Sequence, residues 1–198
     1  VIESLTALAT AEHQAGSLPE AEQRYEEALE LSEQIGDRSA EATLRNNLGL
    51  VRQTRGEVEQ AAQLFRQAMA LNQAIGNLES EASNHVNLGM LDEARRDYEA
   101  AEREYERALE LDKTAEQPME IAADLQRLGR IAERRGFPHR GLAYSERAYR
   151  SYLAQGALLQ ARSALDQAVA CAGKLERAED IARLEMELKR LTALHSTR

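Results

Sequence analysis

The chain has 198 residues, a net charge of −9 and only 4% aromatic residues. This negative charge argues against general affinity for nucleic acids or anionic membranes. The single cysteine excludes an intrachain disulfide framework. Strong helix formers dominate the composition, and no apolar run approaches the length of a membrane span. We therefore expect a helical, cytoplasmic protein.

Helical segments alternate with turn signals from the start of the chain. Gly16 ends the first predicted helix, and Ser17 and Glu20 have the spacing of a capping box at the start of the second. Gly36 is typical of a helix C-terminus, and Asp37 is typical of the N-cap that follows. All connections are short, which predicts antiparallel neighbouring helices.

The pattern repeats at a constant offset, since Leu48-Gly49 recurs as Leu88-Gly89 and again as Leu128-Gly129. An alanine and an aromatic ring recur at the same offset, as Ala21 and Tyr25, Ala61 and Phe65, and Ala101 and Tyr105. Self-similarity at a period of about 20–50 residues predicts a repeat architecture. We assign a single domain over residues 1–198, with units at about 2–41, 42–81, 82–121, 122–157 and 158–198.

The last unit is expected to be a degenerate terminal pair. Gly173 aligns with the earlier inter-helix glycines only after a shift of about three residues, in sequence register. Its final helix is amphipathic, which is typical of a capping helix. No matching cap or initiator methionine is found at the N-terminal end. We therefore expect a segment of a longer protein.

This spacing resembles the tetratricopeptide repeat, whose pattern reads W-x2-L-G-x2-Y, then A-x3-F and a terminal proline. The Trp, Tyr and Pro positions are not kept here, and the period is 40 instead of about 34. These features resemble the longer-helix variants of kinesin light chain and of G-protein-signalling modulators. The resemblance implies an all-α fold, a right-handed α-solenoid of about five antiparallel helix–turn–helix repeats. It also implies a non-catalytic scaffold for protein–protein interaction.

The resemblance further implies a peptide-binding groove along one stripe of the first helix of each unit, which we call the groove stripe. An Asn in this stripe holds the backbone of an extended peptide in the resembled family, and a carboxamide both donates and accepts hydrogen bonds. Leu50 and Met90 are expected to supply apolar pockets. The predicted site residues are Thr43, Asn46, Asn47, Leu50, Thr54, Ser83, Asn87, Met90, Arg127, Arg130 and Arg134.

The three arginines of the groove stripe lie on one helix face of the fourth unit. Guanidinium groups bind carboxylates and phosphates in a bidentate manner. We therefore expect an extended, acidic peptide across units two to four, with its acidic end at these arginines. The alternative is that the arginines pair internally, with Asp124 and Glu133 of their own helix or with acidic residues of the third unit.

The sequence offers no constellation of residues for catalysis. Its four histidines are scattered, and no Gly-rich phosphate loop follows a strand. We expect no enzymatic activity, no metal and no cofactor. Self-assembly is an alternative function, because residues 2–41 are strongly acidic and residues 122–162 are basic, which permits head-to-tail contacts. A regulatory sensor array attached to an effector domain is another.

Overall fold

A computed structural model describes residues 1–195, and over that range it contains ten α-helices and no strand. This confirms the predicted all-α fold of helical repeats. The helices span Ile2–Gln14 (α1), Leu18–Ile35 (α2), Arg38–Thr54 (α3), Val58–Ile75 (α4), Leu78–Ala94 (α5), Tyr98–Thr114 (α6), Pro118–Arg134 (α7), Pro138–Ala154 (α8), Leu158–Lys174 (α9) and Ala178–His195 (α10).

The chain forms two compact units, Val1–Leu91 and Asp92–Arg198. We call these the first and the second unit from here on, and we call the five segments of the sequence pattern repeats. In the first unit α1 packs against α2 and α3, and α3 packs against α4. In the second unit each of α6 to α9 packs against the next helix along the chain. Helix pairs therefore build each unit, as the short connections predict. The single domain and the right-handed superhelix stay predictions.

The turns between helices share one backbone feature, a residue in the left-handed conformation. Glycine supplies this conformation at most turns because it has no Cβ to clash with the backbone. These residues are evenly spaced along the described chain: Gly16, Gly36, Gly56, Gly76, Arg96, Glu116, Gly136, Gly156 and Glu176. Every helix with its turn therefore takes the same length of chain, and the sequence pattern returns after each helix pair, which explains its constant period.

The register shift predicted for the last pair is wrong. Gly173 lies inside α9. The left-handed residue of the turn after α9 is Glu176, which is equivalent to Gly136 of the preceding repeat. The buried positions of α9 keep the same register, as Leu128 and Ala168 show. The period of the repeat is therefore unbroken. It is not evident in the sequence because a glutamate occupies the turn position at which most other turns have glycine.

One of the two predicted N-caps forms. Asp37 caps α3, accepting a hydrogen bond from the Ala40 N–H at 3.0 Å. The capping box of Ser17 and Glu20 is wrong, because the Ser17 side chain makes no capping hydrogen bond. The Ser17 N–H, which Glu20 needs as its donor, already donates to the Glu12 carbonyl at 2.9 Å.

Arg96→Gly and Glu116→Gly are each expected to stabilise the protein by about 0.5–1 kcal/mol. Both native residues have a positive φ, 63° and 54°, which costs energy for a residue with a Cβ and almost none for glycine. Chemical denaturation measures the change. Arg103→Gly, at an exposed position inside α6, is the control and should destabilise by about 1 kcal/mol. Equal losses at all three positions would contradict the prediction.

Candidate functional site

The hydroxyl groups of the groove stripe are occupied within their own helices. Thr43 donates to the Ser39 carbonyl at 3.1 Å, and Thr54 donates to the Leu50 carbonyl at 2.9 Å. Ser83 does the same one turn back along α5, with 3.0 Å to its acceptor. Thr43 and Ser83 are exposed and keep their acceptor capacity, whereas the Thr54 hydroxyl also contacts His13 Nε2 of α1 at 3.2 Å. Met90, with 44% of its surface exposed, is the most prominent apolar group of the stripe in the first unit.

The asparagines of the first unit form a hydrogen-bonded network, which we call the asparagine relay. The Nδ2 of Asn72 donates to Asn84 Oδ1 at 2.8 Å, and the Nδ2 of Asn84 donates to Asn46 Oδ1 at 3.0 Å. The Nδ2 of Asn87 donates to the same Asn46 oxygen at 2.8 Å. A longer contact of 3.5 Å joins Asn46 Nδ2 to Asn47 Oδ1. The relay links α3, α4 and α5.

The relay leaves two polar groups of the groove stripe free to bind a ligand. Among the described residues, none donates to Asn87 Oδ1 and none accepts from Asn47 Nδ2. Both residues are half-buried, so each keeps part of its surface exposed to solvent. Asn46 instead has its oxygen turned inward to two donors. The stripe therefore presents one acceptor on α5 and one donor on α3.

In the second unit Arg127 is held by a buried carboxylate of its own helix. Its Nη1 lies 2.7 Å from Asp124 Oδ1, and Asp124 is fully buried. The carboxyl of Asp112 on α6 acts on the same group, and Asp124 Oδ2 is buried with no hydrogen-bond partner among the described residues. Burial raises the pKa of Asp124 to about 7; the Arg127 charge opposes this shift and Asp112 adds to it. A proton on one of the two carboxyl groups relieves the repulsion between them.

Arg130 makes a bidentate pair with Glu93. Its Nε and Nη2 each lie 2.9 Å from a Glu93 oxygen, and the Tyr105 hydroxyl donates to the same carboxylate at 3.1 Å. Burial raises the pKa of Glu93, but the hydrogen bond and charge of Arg130 outweigh burial, so the pKa is lowered overall. Glu93 belongs to the third repeat. The internal pairing that the sequence left as an alternative is therefore observed at hydrogen-bond distance for two of the three arginines.

Arg134 differs from these two arginines. Its side chain is 48% exposed, and its guanidinium lies over the Tyr98 ring at 5.8 Å from the centroid. Its nearest carboxylate contact is 3.9 Å from Nε to Glu93 Oε1, and its Nη1 is 3.5 Å from the Tyr98 hydroxyl. Arg134, which lies over the Tyr98 ring, therefore keeps most of its hydrogen-bonding capacity for a ligand.

Sequence reasoning did not predict that polar residues behind the stripe are buried and pair with one another. Asn72 and Asn84 pair in the first unit, and Asp112 and Asp124 pair at the equivalent positions of the next repeat. Polar residues spaced 12 apart, at positions where a helical repeat buries its core, are the signal that would have found them. Among residues 1–195 no group of His, Cys, Asp and Glu side chains is arranged to hold a metal ion.

Comparison with known proteins identifies the family. The sequence model of the tetratricopeptide repeat matches residues 1–74 and 41–114, which together cover more than half of the chain. The chain belongs to the tetratricopeptide repeat family. Membership implies a protein–protein interaction scaffold, a kind of module that is generally non-enzymatic. No curated protein matches the sequence significantly.

Several solved structures are similar to this tetratricopeptide repeat chain. BtubC (BKLC) from P. vanneervenii has a TM-score of 0.88 at 20% identity, over 100% of this chain and 82% of that one. A Signal Transduction ATPase with Numerous Domains from Pyrococcus horikoshii, which carries a tetratricopeptide repeat sensor, has a TM-score of 0.87 at 18% identity, over 97% and 30%. A Rap protein in complex with Competence and Sporulation Factor has a TM-score of 0.73 at 15% identity, over 96% and 53%. At these identities the likeness shows the fold alone.

Within the described part of the chain, none of the helices combines the length and apolar character that a membrane crossing requires.

Proposed function

We propose that this chain binds an extended peptide segment of a partner protein along the groove stripe. The observation that carries the proposal is the unpaired Asn47 Nδ2 and Asn87 Oδ1 on neighbouring helices. A peptide backbone offers an acceptor and a donor at nearly every residue, so it complements this pair whatever its side chains are. Leu50 and the exposed Met90 lie on the same stripe and supply adaptable apolar contacts.

We assign acidic residues of the partner to Arg134 in the second unit. Arg127 and Arg130 already pair with Asp124 and Glu93, and releasing them would leave carboxylates uncompensated. The Rap protein with a similar fold, solved with Competence and Sporulation Factor, supports ligand binding by an array of this kind. That one peptide runs across repeats two to four stays a prediction.

Asn87→Ala is expected to weaken peptide binding by about three- to tenfold, because it removes one backbone hydrogen bond. The measurement is calorimetric titration of the full chain with short synthetic peptides selected on an array. Gln63→Ala, at an exposed position of α4 outside the stripe, is the matched control and should leave affinity unchanged. Equal affinities of Asn87→Ala and the control would sink the proposal.

Arg134→Gln is expected to weaken binding of acidic peptides about three- to tenfold and to reduce the salt dependence of binding, since an exposed charge contact is lost. Arg147→Gln removes the same charge from an exposed position of α8 and serves as the control. Neutral peptides should bind Arg134→Gln and the parent chain alike. A salt dependence unchanged by Arg134→Gln would refute the assignment of the acidic segment.

Self-association is decided before these titrations by light scattering across concentration and salt. A monomer leaves the groove stripe free for a partner. A salt-sensitive oligomer would favour assembly, because the acidic and basic regions of the sequence then act between copies.

A further inference from the structure

We infer that Asn84 and Asn72 are positioning residues, which set the direction in which the Asn87 carboxamide faces a bound peptide. The inference rests on the proposed peptide-binding function and adds residues that this function does not itself use. Asn84 is 1% exposed and Asn72 is 3% exposed, so neither reaches a ligand. Their effect on binding is transmitted through the asparagine relay.

The relay converges on one acceptor. Asn72 donates to Asn84, and both Asn84 and Asn87 donate to the Oδ1 of Asn46. A carboxamide has a donor at one end and an acceptor at the other, so turning one member alone brings like groups together. Such a mismatch is costly where the groups are buried. The members therefore keep or change their orientation together.

This arrangement decides whether Asn87 offers a donor or an acceptor to a peptide. Its nitrogen is turned inward to Asn46 at 2.8 Å, which leaves its oxygen outward as an acceptor. A half-buried carboxamide without such a partner would turn either end outward. The relay thus selects a ligand that donates a backbone N–H at this point of the groove stripe.

The preceding repeat shows that this polar pair is not required for packing. Its positions equivalent to Asn72 and Asn84 hold Ser32 and Leu44, both buried. The Ser32 hydroxyl donates to the Leu29 carbonyl of its own helix at 2.8 Å, so no relay forms there. A serine–leucine pair is therefore a matched replacement that the fold already accommodates.

The first test is the double variant Asn72→Ser with Asn84→Leu in the full chain. We expect cooperative unfolding to be retained and the side-chain amide of Asn87 to lose order in ligand-free NMR relaxation measurements. Affinity for the peptides selected on the parent chain should fall about tenfold, as expected for a lost orienting hydrogen bond. A purely structural role would change the unfolding midpoint without changing the Asn87 amide signals.

The second test is Asn84→Asp, which keeps the shape of the side chain but can no longer donate from it when ionised. Asn46 must then turn its nitrogen to position 84, and Asn87 must turn its oxygen inward and its nitrogen outward. We expect displaced amide signals for both residues and at least a tenfold loss of affinity for the same peptides. This variant also keeps the inference falsifiable if the double variant fails to fold.

The outcomes separate this inference from the proposed function. Unchanged Asn87 amide signals in either folded variant would overturn it whether or not a peptide binds. Changed signals with unchanged peptide affinity would overturn the role in binding. If the parent chain binds none of the peptides, the proposed function fails, and the ligand-free NMR measurements still decide whether the relay orients Asn87.

Discussion

Phe65→Ala is expected to lower the free energy of unfolding by about 3–5 kcal/mol. The Phe65 ring is fully buried and fills the space between α3 and α4, where Gly49 allows the two helices to approach. Removing the ring loses its burial and leaves a cavity that rigid helices close only in part. Chemical denaturation monitored by circular dichroism measures the loss.

Gly49→Ala provides the matched test of this contact. A Cβ at position 49 would lie 2.5 Å from the Phe65 ring, so the substitution should destabilise the protein by about 1–3 kcal/mol. In a Phe65→Leu background the clash is absent, and the same change should be neutral or stabilising because alanine favours helix. An equal effect of Gly49→Ala in the two backgrounds would show that the glycine and the ring are not coupled.

The stability that one buried pair of carboxyl groups contributes is expected to fall as the pH rises from about 4 to above 7, by on the order of 2–4 kcal/mol. The cause is the buried pair of Asp112 and Asp124. Burial and Asp112 raise the pKa of Asp124 from its ordinary 3.8 to about 7, so the folded state binds a proton that the unfolded state releases. This contribution is fully present below the unfolded pKa and is lost as the pH passes the folded pKa.

Asp112→Asn tests the cause directly. An amide at position 112 donates to Asp124 without a titrating proton, so Asp124 stays ionised against Arg127. The variant should lose the fall in stability between these pH values, and it should be more stable than the parent chain at pH 8. Asp166→Asn, whose side chain is 58% exposed, is the control. Parallel stability curves for Asp112→Asn and the parent chain would contradict this origin.

Both tests concern contacts between repeats or helices that no single segment of sequence contains. The sequence showed the Leu-Gly and A-x3-F positions as a recurring pattern, but only the packed helices show that Gly49 and Phe65 face one another. Asp112 and Asp124 likewise read as ordinary polar helix residues until packing brought them together away from water.

Part of the candidate site was likewise predictable from the sequence, and part was not. Helical spacing predicted that Asn47, Asn87 and Met90 share one stripe, and they do lie at the surface or half-buried there. It did not predict that Asn46 turns inward, and it left open whether Arg130 pairs internally, as it does with Glu93 from 37 residues earlier in the chain. Charge pairing across helices depends on their packing, which local periodicity does not encode.

The sequence by itself determined the helical content, the constant period of the repeat and the family. These properties follow from local rules: apolar positions at helical spacing, and left-handed turn residues that glycine marks at most turns. Only the tertiary structure decided the register of the last pair and which polar groups are already paired. A glutamate can adopt the left-handed conformation that glycine adopts freely, at a cost in free energy. The hydrogen-bond partners of buried polar groups are fixed only when the helices pack together.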